Sequence, residues 1–282
     1  MQSVVAAVDG SQSSRRALEW AADEAERRGS ALKLVYASLW ERYECDEEEK
    51  EENDDFARGR DAARRMLAGE AARARRRCPG LEVTTEVIPG ETVPALLHAG
   101  REAGLLVLGS RGHGGFQNLL LGSVSLGVAA RADFPVVVVH ATEPAPARGK
   151  VVLGSGTHQP GPAADFAREQ AARRKAELEV VHAWEPQVDM SGFSVTLDTG
   201  SAQEQARSLV AVVTAALEQP GPDVKVHGQV PAGSAAAALV RASADADLLV
   251  VGSRKRHGHL GPVTHAVLHH AACPVALIPT SA

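Results

Sequence analysis

Aromatic residues are scarce in this chain of 282 residues, at 4% of the total. A core with so few rings must be built from aliphatic side chains and alanine, which suits helices packed closely on a parallel sheet. Cysteine is also scarce, because the chain has three scattered residues and no C-x-x-C pair: Cys45, Cys78 and Cys273. This odd, dispersed set excludes a disulfide framework and predicts reduced thiols.

Long apolar runs and excess positive charge are missing as well. No apolar stretch reaches the roughly 18 residues that cross a bilayer. The first ten residues, MQSVVAAVDG, carry an acidic residue and no basic group, unlike a signal peptide. The net charge of −5 gives no general attraction to nucleic acid or to anionic membranes. We therefore expect a cytoplasmic protein that binds neither.

The chain does contain an internal repeat. Arg27–Ala37 aligns without gaps with Arg173–Ala183, and Gly104–Arg111 aligns with the end of Ala246–Arg254. The length also exceeds the usual size of about 100–200 residues for one domain. A stretch rich in proline, alanine and glycine, Ala141–Gly149, separates the two halves. We expect two tandem domains, residues 1–141 and 149–282.

Each half alternates strand and helix patterns, which predicts parallel strands joined by right-handed crossovers. The predicted fold is α/β, with two doubly wound, Rossmann-like domains, each a five-stranded parallel sheet with helices on both faces. The first helix is expected from Ser13 to Arg28, with a hydroxyl cap and Gly29 as its stop. The strands of the first half are predicted at Ser3–Val8, Ala31–Ala37, Glu82–Val87, Leu105–Leu108 and Val136–Val139.

A charged insertion follows the second strand. Glu41–Asp55 holds ten acidic and two basic residues, and an arginine-rich stretch runs from Arg58 to Arg77. We interpret the pair as a solvated face with acid near a helix start and base near its end. Docking of a partner protein is the alternative. A nucleic-acid patch is disfavoured, because interleaved aromatic residues are missing.

The most informative segment is rich in glycine and follows the apolar strand Leu105–Leu108. It reads GSRGHGGFQNLLLGSV over residues 109–124. A glycine loop between a strand and a helix allows close approach of a ligand and points backbone N–H groups at an anion. It has neither the lysine of a P-loop nor the spacing G-x-G-x-x-G. The pattern therefore predicts a phosphate site of another kind.

Gly109, Gly112, Gly122 and Ser123 fit G-x2-G-x9-G-[ST], and Asp9 follows the first strand. Together these features resemble the universal stress proteins. The resemblance implies that the loop holds the phosphates of ATP, with Mg²⁺, while Asp9 lies beside the nucleoside and the small Ala7 lets adenosine approach. The implied binding residues are Ala7, Asp9, Gly109, Ser110, Arg111, Gly112, His113, Gly114, Gly115, Gly122, Ser123 and Val124.

Several of these residues have a structural alternative. Asp9, before Gly-Ser, is also typical of a turn or a helix cap, and Ser123 is typical of an N-cap. We expect Arg111 to contribute its backbone first and its charge second. No G-x-S-x-G elbow or H-E-x-x-H motif is present, so no catalytic residue is assigned. The sequence favours binding over turnover.

The second half departs from the pattern. We align Ser155 with Asp9 and Lys255 with Gly112, the loop is four residues shorter, and Pro262 stands where the first half has Ser123. We therefore expect that this half does not bind ATP in the same way. Lys255, Arg256 and histidines make the loop basic. His265 and His269 have the i, i+4 spacing of a metal pair, but no third ligand is evident, and no metal is predicted.

The leading hypothesis is an ATP-binding regulator of stress or dormancy, with ATP in the first half. The resemblance implies pairing of domains through their last strands, Val136–Val139 and Val275–Ile278, or a homodimer, together with protein partners of unknown identity. Two alternatives stay open. One is an interaction scaffold that binds no nucleotide, and the other is a slow ATPase.

Overall fold

The computed structural model describes residues 3–38, 54–112, 121–140, 146–156, 161–189, 196–198, 200–218, 224–254 and 259–280. The chain divides into two compact units, Met1–Thr142 and Glu143–Ala282. Each unit is an α/β domain with a mainly parallel sheet, as the sequence predicts.

The first unit has a five-stranded sheet in the order β3-β2-β1-β4-β5, with every pair parallel. Helices α1 and α2 pack together, as do α3 and α4, and right-handed crossovers place the two pairs on opposite faces. The order reverses between β1 and β4. The elements are β1 (Val4–Ala7), α1 (Gln12–Arg28), β2 (Leu32–Ser38), α2 (Asp54–Arg77), β3 (Val83–Pro89), α3 (Thr92–Arg101), β4 (Leu105–Gly109), α4 (Ser123–Arg131) and β5 (Val136–Val139).

The second unit repeats this design in the order β10-β7-β6-β11-β12. It adds an antiparallel pair, β8–β9, that the sequence interpretation did not include. The elements are β6 (Lys150–Gly154), α5 (Pro162–Arg174), β7 (Glu177–Val181), β8 (Gln187–Asp189), β9 (Thr196–Asp198), α6 (Gly200–Leu217), β10 (Val226–Gln229), α7 (Ala235–Ser243), β11 (Leu248–Arg254), α8 (Pro262–His270) and β12 (Val275–Thr280).

Local sequence explains the ends of α1. The hydroxyl of Ser11 caps the helix by accepting the N–H of Ser14 at 3.1 Å, and Gly29 ends it in the left-handed region at φ 60°. Between these ends, apolar positions at helical spacing face the sheet and are fully buried: Ala17, Leu18, Ala21, Ala22 and Ala25. The apolar face of α1 therefore packs on the sheet, against β1 and β4.

The arginine-rich stretch forms α2, and its charges pair with α1. Arg77 contacts Asp23 at 2.8 Å, and Glu70 accepts from Arg15 at 3.0 Å. These bridges join two neighbouring helices and account for part of the basic stretch. Most of the acidic segment Glu41–Asp55 lies outside the described residues. Among the helices that the structure describes, none is long and apolar enough to span a membrane.

Candidate functional site

The carboxyl ends of β1 and β4 lie side by side in the first unit, where the strand order reverses, and ligands of open α/β sheets bind at such a point. Gly109 ends β4 against the first turn of α1. A Cβ at Gly109 would lie 2.6 Å from the backbone carbon of Ser13. The Ser13 hydroxyl accepts the N–H of Arg111 at 3.1 Å. The two loops are thus in direct contact, which requires glycine at this position.

Asp9 lies two residues after the end of β1 and faces the glycine loop. Its Oδ1 accepts the N–H of Ser11 at 2.9 Å, which is the turn that its sequence context predicts. Its Oδ2 faces Gly112, because a Cβ on that glycine would lie 2.6 Å from this oxygen. The structure therefore brings Asp9 and Gly112 together, although they are far apart in sequence.

The start of α4 differs from the start of α1. Its N-cap is Gly122, which has no side chain to accept the first N–H groups of the helix. The alternative that Ser123 is the N-cap is therefore wrong, since Ser123 is the first helical residue. The N–H of Gly122 donates to the Ser110 carbonyl at 2.7 Å, and this bond fixes where the helix begins. The result is a helix N-terminus with an exposed Ser123 and no side-chain cap.

The remaining predicted residues have the following positions. Ala7 is the last residue of β1 and is half-buried, as is Val124 in the first turn of α4. Ser110 is buried and donates its N–H to the Val139 carbonyl at 2.8 Å. Arg111 is exposed. Three predicted residues lie outside the described residues: His113, Gly114 and Gly115.

Sequence reasoning missed two serines that hold the loop in place. Ser13 binds Arg111 as described, and the hydroxyl of Ser125 donates to the Gly109 carbonyl at 2.6 Å. Both serines are buried. Their partners are distant in sequence or lie across the loop, so no local pattern indicates these bonds.

Strand register corrects one equivalence in the second unit. Val4 pairs with Leu105 in the first unit, and Val151 pairs with Leu248 in the second. Counting from these pairs, Gly156 corresponds to Asp9, whereas Ser155 corresponds to Val8. The alignment of Ser155 with Asp9 was therefore wrong by one residue. The carboxylate is still lost, because glycine has no side chain.

The start of α8 also departs from that of α4. Gly261 is its N-cap and the first helical residue is Pro262, which has no backbone N–H. Gly261 has φ −64° and ψ 158°, close to the −81° and 156° of Gly122. The two helices thus begin with the same backbone shape but offer different donors. Lys255, Arg256 and His257 lie outside the described residues.

Histidines and a cysteine lie at the end of α8. The rings of His265 and His269 are stacked, with centroids 4.4 Å apart. Burial raises the pKa of the Cys273 thiol to about 12, and the thiol donates to the Pro274 carbonyl at 3.5 Å. Among the described residues, no three His, Cys, Asp or Glu side chains are grouped as metal ligands.

The fold is that of doubly wound α/β domains, and the first unit has a glycine loop at the carboxyl edge of its sheet. Comparison with known proteins gives the family. The profile described as "Universal stress protein family" matches residues 1–140 and 148–279. The chain belongs to this family, in a tandem two-domain form.

Similar proteins include universal stress protein Rv2005c of Mycobacterium tuberculosis, 36% identical, with 96% of this chain and 95% of the relative covered. Universal stress protein Rv2623 of the same species is 31% identical, with 94% and 90% covered. A universal stress protein structure from Archaeoglobus fulgidus aligns with a TM-score of 0.69 at 19% identity, covering 99% of this chain and 98% of the other. The last comparison concerns the fold alone.

Proposed function

We propose that the first unit binds ATP, with Mg²⁺, and that the chain acts as a nucleotide-responsive regulator in stress or dormancy. The observation that carries the proposal is the start of α4, which has a glycine N-cap and lies in the loop whose other end meets Asp9. A cytoplasmic location and dimerisation stay predictions from the sequence and the family resemblance.

The phosphates belong at the start of α4. A helix N-terminus carries a partial positive charge and unpaired N–H groups, which together stabilise anions. At α1 the hydroxyl of Ser11 already accepts one of these N–H groups. At α4 no side chain among the described residues does so, and the exposed hydroxyl of Ser123 lies beside the backbone donors of Ser123 and Val124. A phosphate group supplies the missing acceptors.

The nucleoside belongs near Asp9. Because Oδ1 is bound to the N–H of Ser11, the carboxylate is held in one orientation with Oδ2 toward Gly112. A fixed carboxylate accepts well from a ribose hydroxyl, and the small Ala7 at the adjacent strand end leaves room for a ring system. Glycine at 112 keeps the phosphate path clear of a side chain.

We propose binding and assign no catalytic residue. Phosphoryl transfer needs a group that orients the attacking water, in addition to donors and a metal ion. The described part of the site supplies donors and one carboxylate, and that carboxylate is already engaged by the loop after β1. The reactive centre of an ATPase is therefore not assembled from these residues.

The test is calorimetric titration of the full chain with Mg-ATP, comparing wild type with Ser123→Pro. Proline is well accepted at the first helical position, and Pro262 already stands at the equivalent position after a glycine of the same backbone shape. The change therefore preserves the fold while removing one hydroxyl and one N–H. We expect the wild-type chain to bind one ATP. We expect Ser123→Pro to bind ATP at least about tenfold more weakly, which corresponds to a loss of about 1.4 kcal/mol in binding free energy.

The matched control is Pro262→Ser, which alters the same helical position in the second unit. It should leave both stoichiometry and affinity unchanged. If Ser123→Pro binds ATP with unchanged affinity, the phosphates do not bind at the start of α4. A wild-type chain that binds no ATP at millimolar concentration would instead favour the interaction scaffold.

A further inference from the structure

One peptide group of the glycine loop is held from both ends. The Ser110 carbonyl and the Arg111 N–H belong to the same planar peptide unit. The carbonyl accepts the N–H of Gly122 at 2.7 Å, and the N–H donates to the hydroxyl of Ser13 at 3.1 Å. The Ser110–Arg111 peptide therefore links the first turn of α1 to the N-cap of α4.

The rigidity of the peptide plane couples these two hydrogen bonds. Because the carbonyl and the N–H are fixed in one plane, a rotation of the plane moves both groups together. A rotation that breaks the bond to Ser13 therefore also turns the carbonyl away from Gly122. The hydroxyl itself is well fixed, since Ser13 is buried and is the second residue of α1.

The second unit lacks this hydroxyl. Gly252 corresponds to Gly109, and a Cβ on Gly252 would lie 3.8 Å from the Cβ of Ala163. Ala163 is the second residue of α5, as Ser13 is of α1. Alanine thus stands where the first unit has the serine, and it has no group that accepts a backbone N–H.

The equivalent peptide of the second unit is used by the sheet. Ser253–Arg254 lies within β11 and pairs with the end of β12, whereas β4 ends at Gly109, before the corresponding peptide. Among the described residues of the second unit, no hydrogen bond joins the Gly261 N–H to the Ser253 carbonyl. The link between the two helix starts is therefore not a requirement of the fold.

The link bears directly on phosphate binding. The backbone donors of Ser123 and Val124 follow Gly122, so their directions depend on the backbone of this N-cap. Donors that are held in place before the ligand arrives bind an anion without the cost of ordering them. A residue that fixes Gly122 therefore raises the affinity of the first turn of α4 for phosphate.

We propose that Ser13 is a positioning residue for the phosphates of ATP. Its hydroxyl orients the Ser110–Arg111 peptide, and this peptide holds the start of α4 in the shape that binds them. Because Ser13 is buried, it acts through the peptide and not by contact with the nucleotide. This role rests on the ATP site proposed for the first unit.

The experiment titrates Mg-ATP into the full chain by calorimetry and compares wild type, Ser13→Ala and the control Ala163→Ser. Alanine already occupies the equivalent position of α5, so the helix accepts it. We expect Ser13→Ala to bind ATP about fivefold more weakly, which is the effect of losing one hydrogen bond. Ala163→Ser should leave the affinity unchanged, because no equivalent bond reaches the start of α8.

Amide exchange of the ligand-free chain separates positioning from a role in stability alone. Ser13→Ala should speed exchange of the Gly122 amide about fivefold, while the amides in the middle of α1 keep their wild-type rates. Faster exchange throughout the first unit, with ATP affinity unchanged, would show a role in stability and overturn the proposal. An unchanged rate at Gly122 would also overturn it.

The wild-type titration distinguishes this role from the site on which it rests. A wild-type chain that binds no ATP overturns the proposed function, and the role of Ser13 with it. A wild-type chain that binds ATP, with equal affinity in Ser13→Ala, overturns the role of Ser13 alone.

Discussion

The two units have the same strand order and crossovers but different groups at the carboxyl edge of the sheet. In the first unit, Asp9 faces Gly112 and α4 begins with a donor-bearing serine. In the second unit, Gly156 replaces the aspartate and Pro262 replaces the serine. The replacement by proline does not alter the backbone at the helix start, since both α4 and α8 follow a glycine of nearly equal φ and ψ. The comparison separates what the fold requires from what a ligand requires.

The same separation appears inside the core. Glu24 in α1 and Gln170 in α5 are both fully buried, and each accepts from the arginine four residues later, at 2.7 Å from Arg28 and 3.1 Å from Arg174. At this position the first unit has an ion pair, and the second unit has a hydrogen bond from an arginine to a neutral amide oxygen. Both units keep a buried acceptor four residues before an arginine, but only the first unit's acceptor is charged.

The largest effect is expected at Gly109, which ends β4, in comparison with its counterpart Gly252 in β11. Gly109→Ala would place Cβ 2.6 Å from the Ser13 backbone, whereas Gly252→Ala would meet a methyl group of Thr280 at 3.0 Å. Backbone gives way less readily than a side-chain methyl. We expect Gly109→Ala to cost about 3 kcal/mol and Gly252→Ala about 1 kcal/mol or less.

Hydrogen exchange of the full chain measures both variants unit by unit, since the amides of each unit report its own opening. Gly109→Ala should also abolish ATP binding, because moving Ser13 breaks its bond to the Arg111 N–H. Equal losses of stability in the two variants would mean that the first-unit loop is no more tightly packed than its counterpart.

An intermediate effect is expected at the buried acceptors. Glu24→Ala removes the carboxylate that accepts from Nε of Arg28, whose side chain is 13% exposed, and we expect a cost of about 2 kcal/mol. Gln170→Ala removes a neutral acceptor from Arg174 and should cost about 1 kcal/mol. Both changes delete similar volume, so the difference between the two costs reports the charged interactions of Glu24, which include its pair with Arg27 at 3.5 Å.

Glu24→Gln is the conservative control, because it installs the residue that the second unit already uses. It should restore most of the stability lost in Glu24→Ala, as measured by exchange of the α1 amides. A Glu24→Gln variant as unstable as Glu24→Ala would show that the first unit depends on the ion pair itself.

Much of this architecture could be predicted from periodicity. All five strands of the first unit lie within about two residues of their expected positions, because buried parallel strands read as apolar runs between turn residues. The β8–β9 pair was missed, since three-residue strands are too short to show alternation. Gly122 and Ser123 are both good N-cap residues. In the structure the N-cap is Gly122, whose N–H donates a hydrogen bond to the Ser110 carbonyl.

The site was less predictable than the fold. Glycine spacing indicated the loop, but the contacts of Ser13 with Arg111 and of Asp9 with Gly112 join positions about a hundred residues apart. Such contacts depend on the order of the strands in the sheet, and a local sequence pattern does not predict that order. The one-residue error at Ser155 has the same origin, because register is fixed by pairing between strands and not by sequence similarity at their ends.

The smallest effect is expected at the ends of α1 and α5, where the units again differ by one residue. Gly29 and Lys175 both adopt left-handed backbone, at φ 60° and 53°, and only glycine does so without strain. Lys175→Gly should therefore stabilise the second unit by about 0.5–1 kcal/mol, after some loss of favourable charge at the helix end. Gly29→Lys should destabilise the first unit by about 1 kcal/mol.

Chemical denaturation combined with exchange of the α1 and α5 amides measures both changes, and Lys175→Ala separates charge from strain by removing only the charge. A Cβ at Gly29 would have no atom within 4 Å, so the cost at this position is conformational and not steric. If Lys175→Gly is neutral or destabilising, the lysine contributes an interaction at the helix end that outweighs its backbone strain. The two units would then differ in how they end a helix, as well as in how they begin one.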